Sequence, residues 1–198
     1  MQHHFLKIFF TIVTFLTLST VLQADELSEI KQMMKQNIGE VTTLIQDKSV
    51  AKEARDREIE TIISPLFDFG LMGRLSLGKQ TWKKISKEER KAFSELFKKR
   101  VRQSYMSKLD LYTDEVVVID DPIKVKNRIH LPTHLMRKNE KRDVLYKFYK
   151  SKKSGWMIYD VDILGVSIIQ TYRTQFSGIL KKESFATLLE KLKSNENS

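Results

Sequence analysis

The sequence predicts an α+β domain in which helices cover one face of a curved antiparallel sheet. Hydrophobic side chains recur at every second residue through most of residues 115–163, and they recur every three or four residues on either side of that region. Because each predicted strand has one apolar face, helices must cover that face. Pro132 interrupts the second strand and indicates a bulge or an edge position, which would curve the sheet and leave a concave apolar surface.

The sheet is predicted to contain four strands. They span residues 115–120, 123–136, 143–151 and 156–163. The joins between the strands are short and polar, which favours an antiparallel meander. In the last strand, the alternation places four side chains on one face, namely those of Trp156, Ile158, Asp160 and Asp162.

Three longer helices are expected before the sheet. Residues 25–47 and 49–63 have apolar side chains three or four residues apart, which is typical of amphipathic helices. Ser86 and Glu89 form a capping-box pattern, in which each side chain bonds to the backbone N–H of the other residue. A long helix is therefore expected over residues 86–109.

A short apolar helix is expected between the second and third of these. Asp68 is its expected N-cap, and Gly78 is the residue that ends it. Gly70 and Gly73 lie three residues apart on one face, so a bulky apolar group or another backbone is expected to approach them.

After the last strand, the chain is predicted to turn directly into a helix. Gly165 permits a sharp bend, and Ser167 is the expected N-cap of a helix over residues 166–182. A second helix is expected over residues 184–192, followed by a disordered polar tail over residues 194–198.

The N-terminus has the pattern of a secretory signal peptide. Residues 1–7 are short and basic, residues 8–22 are strongly apolar, and Ala24 provides a small residue before a charged one. Cleavage is expected after Ala24, and a membrane-anchoring helix is the alternative that remains open. The rest is predicted to form one domain over residues 25–193, with a helical part 25–112, a sheet 113–163 and C-terminal helices 166–193.

Composition narrows the classes of function. The 198 residues contain 35 Lys and Arg against 25 Asp and Glu, and this net charge of +10 indicates an anionic partner such as a lipid surface or an acidic protein. Export argues against a nucleic acid partner. The chain has no cysteine, which excludes disulfides, thiolate catalysis and cysteine metal sites.

Few residues suggest catalysis. His130 and His134 are four apart in a predicted strand, a separation of roughly 13 Å, so they cannot share a metal ion. Asp160 and Asp162 share a strand face and are candidates for acid and base chemistry on an apolar substrate. The same pair could instead mark an exposed strand end. We therefore expect no metal site and no cofactor, with an exported enzyme acting through Asp160 and Asp162 as the alternative.

Two segments carry a family resemblance. Residues 63–105 contain ISPLFDFGLMGRLSLG and then the predicted long helix, and residues 159–176 contain YDV, GVS, YR and a final Phe. Together with the signal peptide and the strand order, they make the chain similar to the MlaC family of periplasmic phospholipid carriers, also called toluene-tolerance proteins. The resemblance implies a sheet related to the cystatin or nuclear-transport-factor-like fold, packed with helices around an apolar cavity.

The resemblance also implies a role and partners. Such a carrier holds a glycerophospholipid and exchanges it with the MCE-domain subunit of an inner-membrane ABC transporter and with an outer-membrane lipoprotein complex. This transport maintains the lipid asymmetry of the outer membrane, and the carrier itself is not an enzyme. A purely structural adaptor is a third possibility for the chain.

Candidate wall residues for the cavity follow from the predicted apolar faces. They are Phe69, Met72, Leu75, Phe97, Val101, Tyr105, Val125, Ile129, Tyr146, Phe148, Val161, Val166, Ile169 and Tyr172. Arg74 and Arg173 are candidates for attracting the phosphate of the lipid head group.

Overall fold

The computed structural model describes residues 25–106, 115–138 and 140–194. The predicted signal peptide, the predicted end of the long helix near residue 109 and residues 195–198 of the predicted tail lie outside the described residues. None of the described helices is both long enough and apolar enough to cross a membrane.

The helices form two groups, one before and one after the strands. Their bounds are α1 25–46, α2 Lys52–Ile63, α3 Phe69–Leu77, α4 Lys79–Lys84, α5 Lys87–Met106, α6 Ile168–Leu180 and α7 Phe185–Ser194, with a 3-10 helix Ser64–Leu66 between α2 and α3. Helix α4 was not predicted, and Ser194 belongs to α7 rather than to a disordered tail.

The strands form one antiparallel sheet. They are β1 Val116–Ile119, β2 Ile123–Val125, β3 Arg128–Arg137, β4 Glu140–Ser151, β5 Gly155–Ile163 and β6 Val166–Ser167. The order is β1-β3-β4-β5-β6, and β2 pairs with the same strand as β1, namely β3. The α+β class, the curved unclosed sheet and the antiparallel pairing are therefore confirmed.

The sheet has six strands instead of the predicted four. The predicted second strand is divided into β2 and β3 by a turn at which Lys126 has a φ of 58°. A second turn, where Leu164 and Gly165 have φ values of 52° and 79°, adds β6. Val166 therefore lies in a strand, and the helix after it begins at Ile168.

Pro132 does not interrupt a strand, which corrects the prediction. It lies within β3 and pairs with Leu145 of β4. The Pro132 carbonyl accepts a hydrogen bond from the Asp120 N–H at 3.1 Å. The nitrogen and the carbonyl of a strand residue point to the same side, so the Pro132 nitrogen also faces this side, at the gap between β1 and β2. The N–H that proline lacks points to that gap, and no ladder hydrogen bond is lost there.

The predicted helix caps are confirmed. The Asp68 carboxylate accepts a hydrogen bond from the Leu71 N–H at 2.8 Å, and Gly78 ends α3 with a φ of 84°. Ser86 and Glu89 bond reciprocally at 2.7 and 3.1 Å. Each cap satisfies backbone groups that a helix end leaves unpaired, which fixes where the helix starts.

An aromatic cluster holds the helices together. The Phe93 and Phe97 rings lie 6.0 Å apart on α5, and Tyr172 and Phe176 of α6 approach them edge-on at 5.2 and 5.5 Å. Edge-on ring pairs of this kind add to the burial of apolar area. The side chains of Ile129, Leu131 and Phe148 extend this core onto the sheet.

The backbone of α3 lies close to this cluster at Gly73. A Cβ atom at Gly73 would lie 3.2 Å from Phe97 and 3.4 Å from Phe93. We expect Gly73→Val to lower the free energy of unfolding by about 1–3 kcal/mol, because the added methyl groups overpack the core. Urea denaturation followed by fluorescence measures this change.

Gly70 provides the matched control in the same helix. It is exposed, and a Cβ atom there would meet only the Asp68 carboxylate at 3.4 Å. Gly70→Ala should leave stability unchanged or raise it by up to ~1 kcal/mol through helix propensity. Equal destabilisation by both substitutions would show that contact with the aromatic rings is not the cause.

Candidate functional site

An apolar cavity of about 370 Å³ lies between the helices and one face of the sheet. We call its two sides the helical wall and the sheet wall. The helical wall contains Met34, Ile38, Val41, Ile45, Ile59, Ile63, Leu66, Phe67, Phe69, Met72, Val101 and Tyr105. The sheet wall contains Val117, Thr133, Leu135, Val144, Tyr146, Ile158, Val161 and Ile163, with Ile168 at the start of α6.

A β-bulge forms part of the sheet wall. The pairing of β4 with β5 shifts between Lys147 and Phe148, so Tyr159 is the extra residue. Because of this shift, Ile158 lies opposite Phe148 and is fully buried, whereas Asp160 lies opposite Lys147. The prediction that Ile158 shares a face with Asp160 and Asp162 is therefore wrong, since simple alternation fails at a bulge.

Helix α1 supplies a large part of the helical wall, and this was not predicted. Its residues Met34, Ile38, Val41 and Ile45 belong to the apolar stripe that identified the helix. None of these four residues is among the predicted wall residues. An amphipathic stripe shows that a face is covered, but it does not show whether side chains or an internal space cover it.

The fourteen candidate wall residues fall into three groups. Six of them line the cavity, namely Phe69, Met72, Val101, Tyr105, Tyr146 and Val161. Six lie in or against the packed core, namely Leu75, Phe97, Ile129, Phe148, Ile169 and Tyr172. Val125 and Val166 are on the surface, with 40% and 61% of their areas exposed. Neither residue lines the cavity, which corrects the prediction for both.

Position along the strands explains this division. Ile129 and Phe148 pair at one end of the sheet face, where the aromatic core covers them, and Thr133 and Val144 pair further along, where the cavity lies. The sequence pattern identifies the face of a strand but not which end of that face is covered by side chains.

Among the described residues, charged side chains line the cavity at three positions, Glu60, Arg102 and Glu115, which we call the rim. The Arg102 guanidinium donates a hydrogen bond to the Glu60 carboxylate at 2.6 Å, which connects α5 to α2. The Arg102 side chain is 40% exposed and that of Glu60 is 27% exposed. The charges therefore lie where the cavity meets solvent, and the apolar walls lie further inside.

The two arginines that were predicted to attract a phosphate lie elsewhere. Arg173 donates hydrogen bonds from Nε and Nη2 to the Leu75 carbonyl at 3.0 and 2.5 Å, which fixes α6 to α3. Arg74 is exposed on α3, and neither residue lines the cavity. The sequence did not single out Arg102, because it is one of many basic residues on α5.

Thr133 and Tyr105 are among the uncharged polar residues that line the cavity, which also include Asn37, Thr42, Gln46, Ser64 and Tyr146. The Thr133 hydroxyl is buried and has no hydrogen-bond partner among the described residues. Burial raises the pKa of Tyr105 to about 12, and the nearby Tyr172 and Asp160 add to this effect. Tyr105 is therefore neutral at physiological pH, which suits an apolar wall.

Asp160 and Asp162 do not line the cavity. Asp160 accepts hydrogen bonds from the Lys147 ammonium at 3.1 Å, the Ser167 hydroxyl at 2.8 Å and the Ile169 N–H at 3.2 Å. Asp162 accepts from Lys147 at 2.6 Å. Burial alone would lower the pKa of Lys147, but the hydrogen bonds to both aspartates raise it above its usual value. These contacts join β4, β5 and the start of α6.

The described residues offer no metal cluster that competes with this site, and the other depression they form has a different lining. Among the described residues, no group of three His, Asp or Glu side chains is arranged to hold a metal ion. A wide depression of about 760 Å³ lies between α1 and α2, but mostly polar side chains such as Gln32, Lys35 and Glu58 surround it. It therefore lacks walls suited to an apolar ligand.

The comparison with known families agrees with this architecture. The family model described as MlaC protein matches residues 35–194. The chain belongs to the MlaC family. The match begins within α1 and ends with α7, so it includes both walls of the cavity.

Two relatives extend the comparison. The chain is 26% identical to the intermembrane phospholipid transport system binding protein MlaC of Haemophilus influenzae, and the alignment covers 94% of this chain and 92% of that protein. The fold is similar to a solved structure of a phospholipid-binding protein from Ralstonia solanacearum in complex with a phospholipid. That similarity has a TM-score of 0.71 at 19% identity, and it covers 83% of this chain and 94% of the other.

Proposed function

We propose that this MlaC-family protein binds a glycerophospholipid, with acyl chains in the cavity and the head group at the rim. The single observation that carries the proposal is the apolar cavity of about 370 Å³, whose charged lining residues are confined to its partly exposed side. An amphiphile needs this division of apolar and charged surface. The names of the Haemophilus influenzae relative and of the lipid-bound Ralstonia solanacearum structure support the same ligand class.

The physical requirement for such a carrier is the exclusion of water from the acyl chain. Each CH₂ group transferred out of water contributes about 0.8 kcal/mol, so a chain has to be enclosed along most of its length. Met34 and Met72 lie in the helical wall, and their flexible side chains can adapt to chains of different shape.

The route of transport is the wider part of the proposal. We propose that the protein is exported to the periplasm by a signal peptide cleaved after Ala24. There it exchanges lipid with the MCE-domain subunit of an inner-membrane ABC transporter and with an outer-membrane lipoprotein complex, and so maintains outer-membrane lipid asymmetry. The resemblance of the sequence to the family supports these partners, and the net charge of +10 suits anionic surfaces.

We propose no catalytic role for the protein. The enzyme alternative depended on Asp160 and Asp162, and their carboxylates bond to Lys147 outside the cavity lining. A general acid or base has to reach the bound substrate. The contacts of both aspartates instead fit a structural role.

The test is to identify what the protein carries. Protein purified from a periplasmic extract is expected to contain phospholipid at up to one molecule per chain, measured by native mass spectrometry and by lipid extraction. Protein that is stripped of lipid and mixed with phospholipid vesicles should take up lipid again. An empty protein that also fails to take up lipid from vesicles would contradict the proposal.

A further inference from the structure

We propose that the rim recognises a zwitterionic head group, one with a phosphate and an ammonium group, in preference to an anionic head group that lacks the amine. This inference rests on the proposed function and adds the head-group chemistry to it. The Arg102–Glu60 pair is the site of recognition.

The location of the pair is the first argument. Arg102 and Glu60 both line the cavity, and both are partly exposed, so they lie where the head group of a lipid with buried chains would be. Their ion pair at 2.6 Å connects α5 to α2 across that position. Ion pairs this exposed contribute little to stability, so a ligand can replace the pairing at low cost.

The distribution of charge is the second argument. Lys98 lies one turn before Arg102 on α5, and its ammonium is 5.8 Å from the centre of the Phe69 ring, which lines the cavity. Helix α5 therefore carries the rim cation Arg102 and, one turn earlier, a second cation that lies near a wall residue but outside the cavity lining. Glu60 and Glu115 place two carboxylates at other positions of the same cavity.

A zwitterionic head group fits both signs of charge. Its phosphate can accept two hydrogen bonds from the Arg102 guanidinium, which is suited to bidentate contact with phosphate. Its ammonium can take the place of Arg102 beside the Glu60 carboxylate. A phosphoglycerol head group brings the same phosphate charge but no ammonium, so Glu60 would be left without a cation beside the phosphate, and unpaired like charges oppose binding.

The experiment uses vesicles with equal amounts of dioleoyl phosphatidylethanolamine and dioleoyl phosphatidylglycerol. Lipid-free protein is incubated with the vesicles, and native mass spectrometry measures the ratio of the two lipids bound. The acyl chains are identical, so the ratio reports the head group alone. We expect the wild-type protein to favour the ethanolamine lipid by about threefold, in line with a partly exposed charge pair.

Two variants assign the effect to the rim. Glu60→Gln should bring the ratio close to one, because the carboxylate that holds the ammonium is lost. Arg102→Gln should lower the amount of both lipids bound, by about fivefold at most, because both carry the phosphate. Glu140→Gln and Arg142→Gln are the matched controls, since they remove the same charges from an exposed pair on β4, at 3.0 Å, outside the cavity lining.

The outcomes separate this inference from the proposed function. If the protein binds both lipids but Glu60→Gln leaves the ratio unchanged, or if the wild type favours the glycerol lipid, head-group recognition by the rim is refuted and lipid carriage stands. If the wild type binds neither lipid, the proposed function fails as well. Melting temperatures of the four variants show whether each one is folded.

Discussion

Val144→Trp is expected to lower the affinity for phospholipid by roughly 100-fold. Val144 lies in the middle of the sheet wall, between Thr133 on β3 and Ile163 on β5. An indole there occupies space that an acyl chain would use. Each CH₂ group that no longer fits costs about 0.8 kcal/mol, so the exclusion of three or four such groups accounts for the expected loss.

The measurement is uptake of a fluorescent phospholipid from vesicles, followed by titration. Val118→Trp is the matched control, because Val118 is 42% exposed on β1 of the same sheet and does not line the cavity. It should bind lipid like the wild type. If Val144→Trp folds and binds lipid with unchanged affinity, the cavity is not the site of the acyl chain.

The same pair of variants tests the structural adaptor alternative. An adaptor does not use its cavity, so cells that carry Val144→Trp would keep an intact outer membrane. A carrier would fail in these cells and still function in cells that carry Val118→Trp. Val166→Trp cannot serve this purpose, because the structure places Val166 at the surface.

Local interactions account for the parts of the fold that the sequence predicted well. The caps at Asp68, Ser86 and Ser167 depend on side chains that bond to backbone within three residues, so their patterns can be recognised without tertiary structure. The turn at Lys126 is also local, because it joins Val125 to its partner Arg128, yet it was missed. A non-glycine residue with a positive φ has no strong sequence signal.

The cavity was predicted less completely than the fold. Six wall residues were identified because strand and helix periods assign a face correctly. The periods do not show where the helices and the sheet lie far enough apart to leave a cavity. That position depends on helix α1, which lies over the end of the sheet that lines the cavity. Ile129 and Val161 therefore look equivalent in the sequence, although the first packs in the core and the second lines the cavity.

Asp160→Ala is expected to lower the free energy of unfolding by roughly 3 kcal/mol, the second large effect. The Asp160 carboxylate is 7% exposed and accepts hydrogen bonds from three partners on three elements, Lys147 of β4, Ser167 of β6 and the Ile169 N–H of α6. Hydrogen bonds to a buried charge contribute about 1.5–3 kcal/mol each to stability. The expected loss is smaller than the sum over the three bonds, because Lys147 keeps Asp162 as a partner. For a domain of this size, the melting temperature should fall by about 6–12 °C.

Asp162→Ala is the matched control for this prediction. Asp162 is 18% exposed, and its ion pair with Lys147 at 2.6 Å is the contact it makes in the network. We expect a loss of about 1 kcal/mol, because the remaining Asp160 still pairs with Lys147 and still caps α6. Urea denaturation monitored by the fluorescence of Trp82 and Trp156 measures both variants. Equal losses would show that the contacts to Ser167 and Ile169 contribute nothing, and that the start of α6 is held by packing of Ile168 and Ile169 alone.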